Sequence, residues 1–298
     1  MFIVKYQNFF LLTAIVLVVV SFWAIFSYGL RLGIDFTGGT VMEIFYKDAR
    51  PTVDVVKTKI AGSGLDLGNM VIQEAGDTNI ILKMRDIKEA ERAKLVEALS
   101  VGSSLEVTKF DSIGPIIGAE LKQKALVAIS LVCILIALYI AFAFRQVSYP
   151  VSSIKYGFAA ILALFHDVVV PTGVIALMGH LYGTEVDILF VTAILAILGF
   201  SVHDTIVVFD RIRENLRNRV SKDFGETVHK SVVQTIVRSI NTSMSTVFAL
   251  LALYFFGGES TKLFSFILII GIISGTYSSI FIASPILLFF EKRQKAKK

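Results

Sequence analysis

Apolar positions along this chain follow two regimes. In six stretches they run on for about twenty residues with almost no charge, the length of a membrane-spanning helix. The spacing predicts spans over about 9–30, 125–144, 156–181, 186–209, 233–256 and 263–290. The first run, FFLLTAIVLVVVSFWAIFSYGL, is too long for a signal peptide and lacks a small-residue cleavage site, so it reads as a retained anchor.

Between the first two runs the pattern changes to short alternating segments. VMEIFY (41–46) predicts a strand, and 51–60 a helix with Pro51 in its first turn. Two strands follow over 70–74 and 79–84, with Gly76 and Asp77 supplying the turn between them. Helical spacing over 87–99 and a strand over 104–110 complete the order β-α-β-β-α-β, the split ferredoxin-like arrangement. The fold class is therefore a membrane all-α bundle of six transmembrane helices with an inserted α+β ferredoxin-like domain. Its expected parts are 1–30 (first span), 31–120 (the α+β domain), 121–290 (five spans) and 291–298 (a basic tail).

Composition agrees: 55% of residues are hydrophobic and 18% charged, with a mean hydropathy of +0.73. A soluble domain carries roughly a quarter charged residues, so a soluble enzyme is excluded. The net charge of +5 does not point to nucleic acid, because the cations gather at helix ends. Lys and Arg also set orientation. With the N-terminus inside, the inner loops hold Arg145, Lys155, Arg211, Arg213, Arg217, Arg219, Lys222 and Lys230, and the tail adds Lys292, Arg293, Lys295, Lys297 and Lys298. The short outer loops hold His180, Glu185, Asp187, Glu259 and Lys262. Both termini are thus expected in the cytoplasm, with the α+β domain outside and the basic tail on anionic lipid. The single cysteine, Cys133, permits no intrachain disulfide.

Two glycine-rich segments flank the domain, GIDFTGGT (33–40) and GPIIG (114–118). The first lacks a GxxxxGK[ST] pattern, so Gly33, Asp35, Gly38 and Gly39 read as a tight junction rather than a phosphate cradle. There is no HExxH, CxxC or GxSxG, and four scattered histidines make no metal site. No metal or cofactor is expected.

The residues that demand a function are the ionisable ones at membrane depth, which are costly and face the bundle interior. His166 and Asp167 lie in the third span, His203 and Asp204 in the fourth, and Arg238 in the fifth. From the helix rise, Asp204 and Arg238 each lie roughly 7 Å above the inner ends of consecutive antiparallel helices, so the two charges are expected to pair. Gln234, Arg238, Asn241 and Ser245 share one face of the fifth helix and predict a wet polar seam. Such a pair is either a fixed helix tie or a proton-handling site. Two His–Asp dipeptides on neighbouring spans favour the second.

GIDFTGGT (33–40), FHDV (165–168), GFSVHDTIVVFDRIREN (199–215) and RSINTS (238–243) carry a resemblance. Through them the chain closely resembles the SecF side of the SecD/SecF protein-export family over nearly its whole length, and its helix order looks like one half of an RND-type transporter. The resemblance implies a SecD partner, the SecYEG channel, secreted polypeptides as substrates and assistance to export driven by the proton motive force. It also implies proton transfer at Asp204 and Arg238, with His166 and Asp167 matching a recurrent dipeptide. Two competing classes remain: a half-size RND pump for drugs or lipids, which predicts a second large outer domain per half where this chain has one small one, and a scaffold in which the ion pair is structural.

Overall fold

The computed structural model describes residues 2–47, 50–100, 102, 104–145 and 151–295. Lys297 and Lys298 of the expected tail lie outside the described residues. A single turn, α1 (Phe2–Lys5), precedes α2 (Gln7–Tyr28), which ends where Gly29 enters a positive φ of 70°.

Next comes a compact unit, Leu32–Leu126. It holds α3 (Ile34–Thr37), β1 (Gly39–Tyr46), α4 (Val53–Gly62), β2 (Val71–Ala75), β3 (Asn79–Met84), α5 (Glu89–Ser100) and β4 (Leu105–Ile113). The sheet order is β2-β3-β1-β4, wholly antiparallel, with Ile44 opposite Ile80 on one side and Val107 on the other. Alternation in β1 and β3 sends Met42, Ile44, Ile80 and Leu82 onto the buried face, where Val56 and Ile60 of α4 and Leu95 and Leu99 of α5 cover them. This is the expected βαββαβ order.

The two glycine-rich segments pack on each other. A Cβ on Gly38, whose φ is 73°, would lie 2.6 Å from Pro115 Cα, and one on Gly118 would lie 2.8 Å from the Gly38 nitrogen. Only glycine permits that approach. Gly33 precedes α3 as its cap, Gly39 opens β1 against the Met84 carbonyl, and Asp35 is half-buried. Beside them the buried Thr40 hydroxyl meets Ser112 at 2.6 Å and accepts from the Ile87 N–H at 3.2 Å, fixing the entry to α5.

The second unit joins Met1–Arg31 to Val127–Lys298. Its remaining elements are α6 (Pro115–Ala143, which begins in the first unit), α7 (Ser153–Tyr182), α8 (Ile188–Arg217), α9 (Phe224–Phe256), α10 (Glu259–Ser278), a π-helical segment (Ser279–Ala283) and α11 (Ser284–Lys295). Among the described residues six helices are long and apolar enough to cross a membrane, α10 to α11 counting as one span. Asp187 and Asp223 start α8 and α9 by accepting from the Phe190 and Glu226 N–H groups at 2.9 and 3.0 Å.

Small residues set how closely these helices approach. A Cβ on Gly173 of α7 would lie 2.4 Å from Ser21 Cβ of α2, and one on Gly271 of α10 would lie 2.1 Å from Ile197 Cδ1 of α8. The last span, α7 and α8 form the buried centre, while α2, α6 and α9 are peripheral.

Candidate functional site

At the centre of the bundle Asp167 is fully buried. Ser201 of α8 donates to its Oδ2 at 2.5 Å and Ser278 of α10 donates to the same oxygen at 2.6 Å. On the other side His166 Nδ1 lies 3.0 Å from Oδ1, and when Asp167 is ionised the ring donates to it from Nδ1. Ser274 makes a longer contact, 3.4 Å to Oδ1 and 3.3 Å to His166 Nδ1. His166 Nε2 is buried and without a hydrogen-bond partner. Hydroxyls from two neighbouring helices thus solvate a carboxylate that water does not reach.

Both helices that meet here depart from regular geometry at this level. Pro171 lies inside α7, four residues after Asp167, and has no N–H to give the Asp167 carbonyl. The π-helical segment starts immediately after Ser278. Such irregularities inside spanning helices are commonly functional.

Asp204 sits one turn further along α8 and is also buried, but its surroundings differ. Its Oδ2 and the buried Ser239 hydroxyl of α9 make no hydrogen bond of normal geometry, but the hydroxyl faces the carboxyl closely enough to act on it. His203, next to it, points outward and is exposed. Its neighbours along the chain are tied down: Thr205 shares a 2.8 Å hydrogen bond with Ser279, and Ser279 also donates to the Ser201 carbonyl at 3.3 Å.

The expected ion pair between Asp204 and Arg238 does not form among the described residues. Arg238 lies within electrostatic reach of Asp204, but its side chain is exposed on α9. Azimuth is the cause. Helix α9 turns Thr235, Ser239 and Ser243 inward, and a residue one step before Ser239 is rotated about 100° away from it. The stripe of Gln234, Arg238, Asn241 and Ser245 is therefore an exposed face in this chain. It flanks the packed surface rather than forming part of it.

Toward the end of α8 the stripe meets a polar cluster. Gln234 Oε1 accepts from Arg211 Nε at 2.6 Å and from Asn215 Nδ2 at 2.9 Å, while Asn215 also donates to Ser231 at 2.8 Å. A cleft of about 280 Å³ opens here, lined by Asp210, Arg211, Glu214, Gln234 and Arg238. Arg211 pairs with Glu214 and Asp210 with Arg213, and among the described residues no acid touches Arg238. Among the described residues no three His, Cys, Asp or Glu side chains converge as metal ligands do.

Sequence reasoning missed Ser201, Ser274 and Ser278. Ser201 stands inside the GFSVHDT motif, and Ser274 and Ser278 are spaced i, i+4, so a signal was present. Serine is nevertheless so common in spanning helices that only the facing Asp167 gives those hydroxyls meaning.

Comparison with known proteins places this geometry. Residues 94–293 match the family described as protein export membrane protein SecD/SecF, C-terminal, and residues 23–46 match the SecD/SecF GG motif. The protein translocase subunit SecF of Thermobaculum terrenum is 44% identical over 98% of this chain and 94% of that protein. SecF of Pseudomonas aeruginosa is 33% identical over 92% of this chain and 86% of that protein. The crystal structure of SecDF, a translocon-associated membrane protein from Thermus thermophilus, superposes with a TM-score of 0.83 at 30% identity. It covers 97% of this chain, which spans only 38% of the SecDF chain. SecDF in its super-membrane-facing form gives a TM-score of 0.67 at 31% identity.

Proposed function

The chain belongs to the SecD/SecF family of protein export membrane proteins, and from that premise we propose that it is a SecF-type auxiliary subunit of the Sec protein translocase. In this reading it couples the proton motive force to export of polypeptides through a SecYEG-type channel. The observation that carries it is the placement of Asp204: buried at membrane depth, with one oxygen making no hydrogen bond of normal geometry and Arg238 near but not in contact.

A buried carboxylate without a touching cation is a place to hold a proton, and contact with a guanidinium favours releasing it. Asp204 takes up a proton in the arrangement seen here. It gives the proton up when α9 rotates Arg238 toward it. The exposed stripe of Gln234, Arg238 and Asn241 supplies a polar path for water along α9, and the cleft at Arg211 and Glu214 is its inner mouth. Export assistance follows if alternate access at Asp204 moves α2 and α6, the helices that bracket the α+β domain in sequence.

A guanidinium and an amide facing bare lipid are costly, so a second chain covers the stripe. The SecDF chains are more than twice as long as this one, and a SecD-type partner is what covers the stripe in this reading. The Lys and Arg distribution puts both termini in the cytoplasm of a multi-pass protein in the cytoplasmic membrane, the α+β domain outside, and the cationic loops on anionic lipid.

The test is depletion. Removing this chain from cells should leave channel-dependent export in membrane vesicles running at its gradient-independent rate. The increment that a proton gradient adds should disappear, and the wild-type chain should restore it. An undiminished increment in depleted vesicles contradicts the function.

A further inference from the structure

Two buried acids occupy this bundle, and they are built differently. Asp167 accepts from Ser201, Ser278 and His166 within 3.0 Å, with Ser274 beyond. Asp204 has an oxygen that makes no hydrogen bond of normal geometry. An acceptor already filled by donors from α8 and α10 gains little from a proton, because a protonated carboxyl must turn one of those contacts around. Asp204 faces one hydroxyl, that of Ser239, where Asp167 holds three close donors, so a proton costs it less.

The donors of Asp167 also hold the residues around Asp204. Ser201 precedes Asp204 by three positions on α8 and hydrogen-bonds Asp167. Thr205 follows Asp204 directly and is bonded to Ser279, whose hydroxyl also reaches the Ser201 carbonyl. Ser278, next to Ser279, closes the set on Asp167. Helix α8 is thereby pinned on both sides of Asp204 to the junction of α10 with the π-helical segment. Its rotation about its own axis is what directs Asp204 toward Ser239 of α9 rather than toward lipid.

We propose that Asp167 is a positioning residue. As the shared acceptor for Ser201 and Ser278 it fixes the rotation of α8 and aims Asp204 at α9, without itself carrying the translocated proton. This role rests on the proton-coupling function proposed above. The charged or titratable groups acting on Asp204 are His203 on its own helix and Arg238 on α9; those beside Asp167 are His166, with the ring of Tyr277 of α10 tilted against it at a centroid distance of 6.0 Å.

The test compares Asp167→Asn, the double variant Ser201→Ala/Ser278→Ala, and Asp204→Asn, each in membrane vesicles containing the complete translocase and normalised to assembled chain. Two quantities are read: gradient-driven export as a function of pH, and the carboxyl C=O stretch in the infrared difference spectrum produced by imposing the gradient. The carboxyl band should vanish in Asp204→Asn. In Asp167→Asn and in the serine double variant it should persist but shift, with export falling by up to about a hundredfold, the scale of a group misplaced by about an ångström. The pH profile should be displaced in the same direction in both, and adding Ser201→Ala and Ser278→Ala to Asp167→Asn should be no worse than Asp167→Asn alone, since the three act through one hub. Loss of the band in Asp167→Asn shows that Asp167 carries the proton and overturns the proposal. An unmoved band and profile in the serine double variant reduces the hub to packing and overturns it as well, whether or not Asp167→Asn assembles. A band that survives in Asp204→Asn refutes the proton-coupling function itself, and the aiming role falls with it.

Discussion

Glycine at 38 and at 76 shows how one residue type does two jobs in the α+β unit. Both have positive φ, but a Cβ at Gly76 would meet nothing within 4 Å, whereas one at Gly38 would sit 2.6 Å from Pro115 Cα and 2.8 Å from its nitrogen. Gly76→Ala adds only left-handed strain, about 1 kcal/mol. Gly38→Ala adds a backbone collision that no rotamer change relieves, for about 3 kcal/mol in all. Thermal unfolding of the full chain in detergent should show a markedly larger fall in Tm for Gly38→Ala; equal falls would mean that the two glycine-rich segments do not bear on each other. At the surface of the same unit, a side-chain bond from Arg85, and then the Lys88 N–H at 3.0 Å, hold the Glu91 carboxyl below the usual carboxylate range. A lowered folded value means that this tie contributes fully above the unfolded carboxylate value of about 4.3 and is lost as pH falls through the folded one. The stability difference between wild type and Glu91→Gln should therefore be small but constant near neutral pH and vanish in acid. A difference that grows on acidification contradicts the sign.

Among whole elements, the close crossing of α8 and α10 carries the hub, and Gly271 and Gly275 make it possible. Gly271→Ala places a methyl 2.1 Å from Ile197 Cδ1, so the helices must separate, at about 1–3 kcal/mol. In an Ile197→Ala background the same change should cost much less, because the colliding atoms are gone. Simple additivity in a double-mutant cycle, read by unfolding in detergent, would show that the crossing is looser than the structure has it. Elements were also where the sequence was most legible. Six apolar runs became six spanning helices, because lipid imposes its thickness on composition. Helix ends were less legible: α8 runs on to Arg217 and α6 starts at Pro115, since backbone hydrogen bonding does not stop where hydropathy does.

In the molecule as a whole, function depends on which faces meet, and there the sequence ran out. Helix rise put Asp204 and Arg238 at one depth, but rise carries no information about rotation. The structure turns Ser239 inward beside Asp204 and leaves Arg238 exposed. The serine cage of Asp167 was equally hidden, because its parts are separated by more than a hundred residues between α7 and α10. Together these placements set apart two acids that the sequence had grouped as one proton site: Asp167 caged by hydroxyls, Asp204 facing one. Since Asp204 is not in contact with Arg238, Asp204→Asn breaks no ion pair in the arrangement seen here and should assemble in near-normal amount. The decisive measurement is export by vesicles carrying that variant, normalised to assembled complex, with and without a proton gradient. The expected result is normal assembly, an intact gradient-independent rate and no gradient-driven increment. A variant that assembles normally and still responds fully to the gradient would show that Asp204 does not couple protons to export.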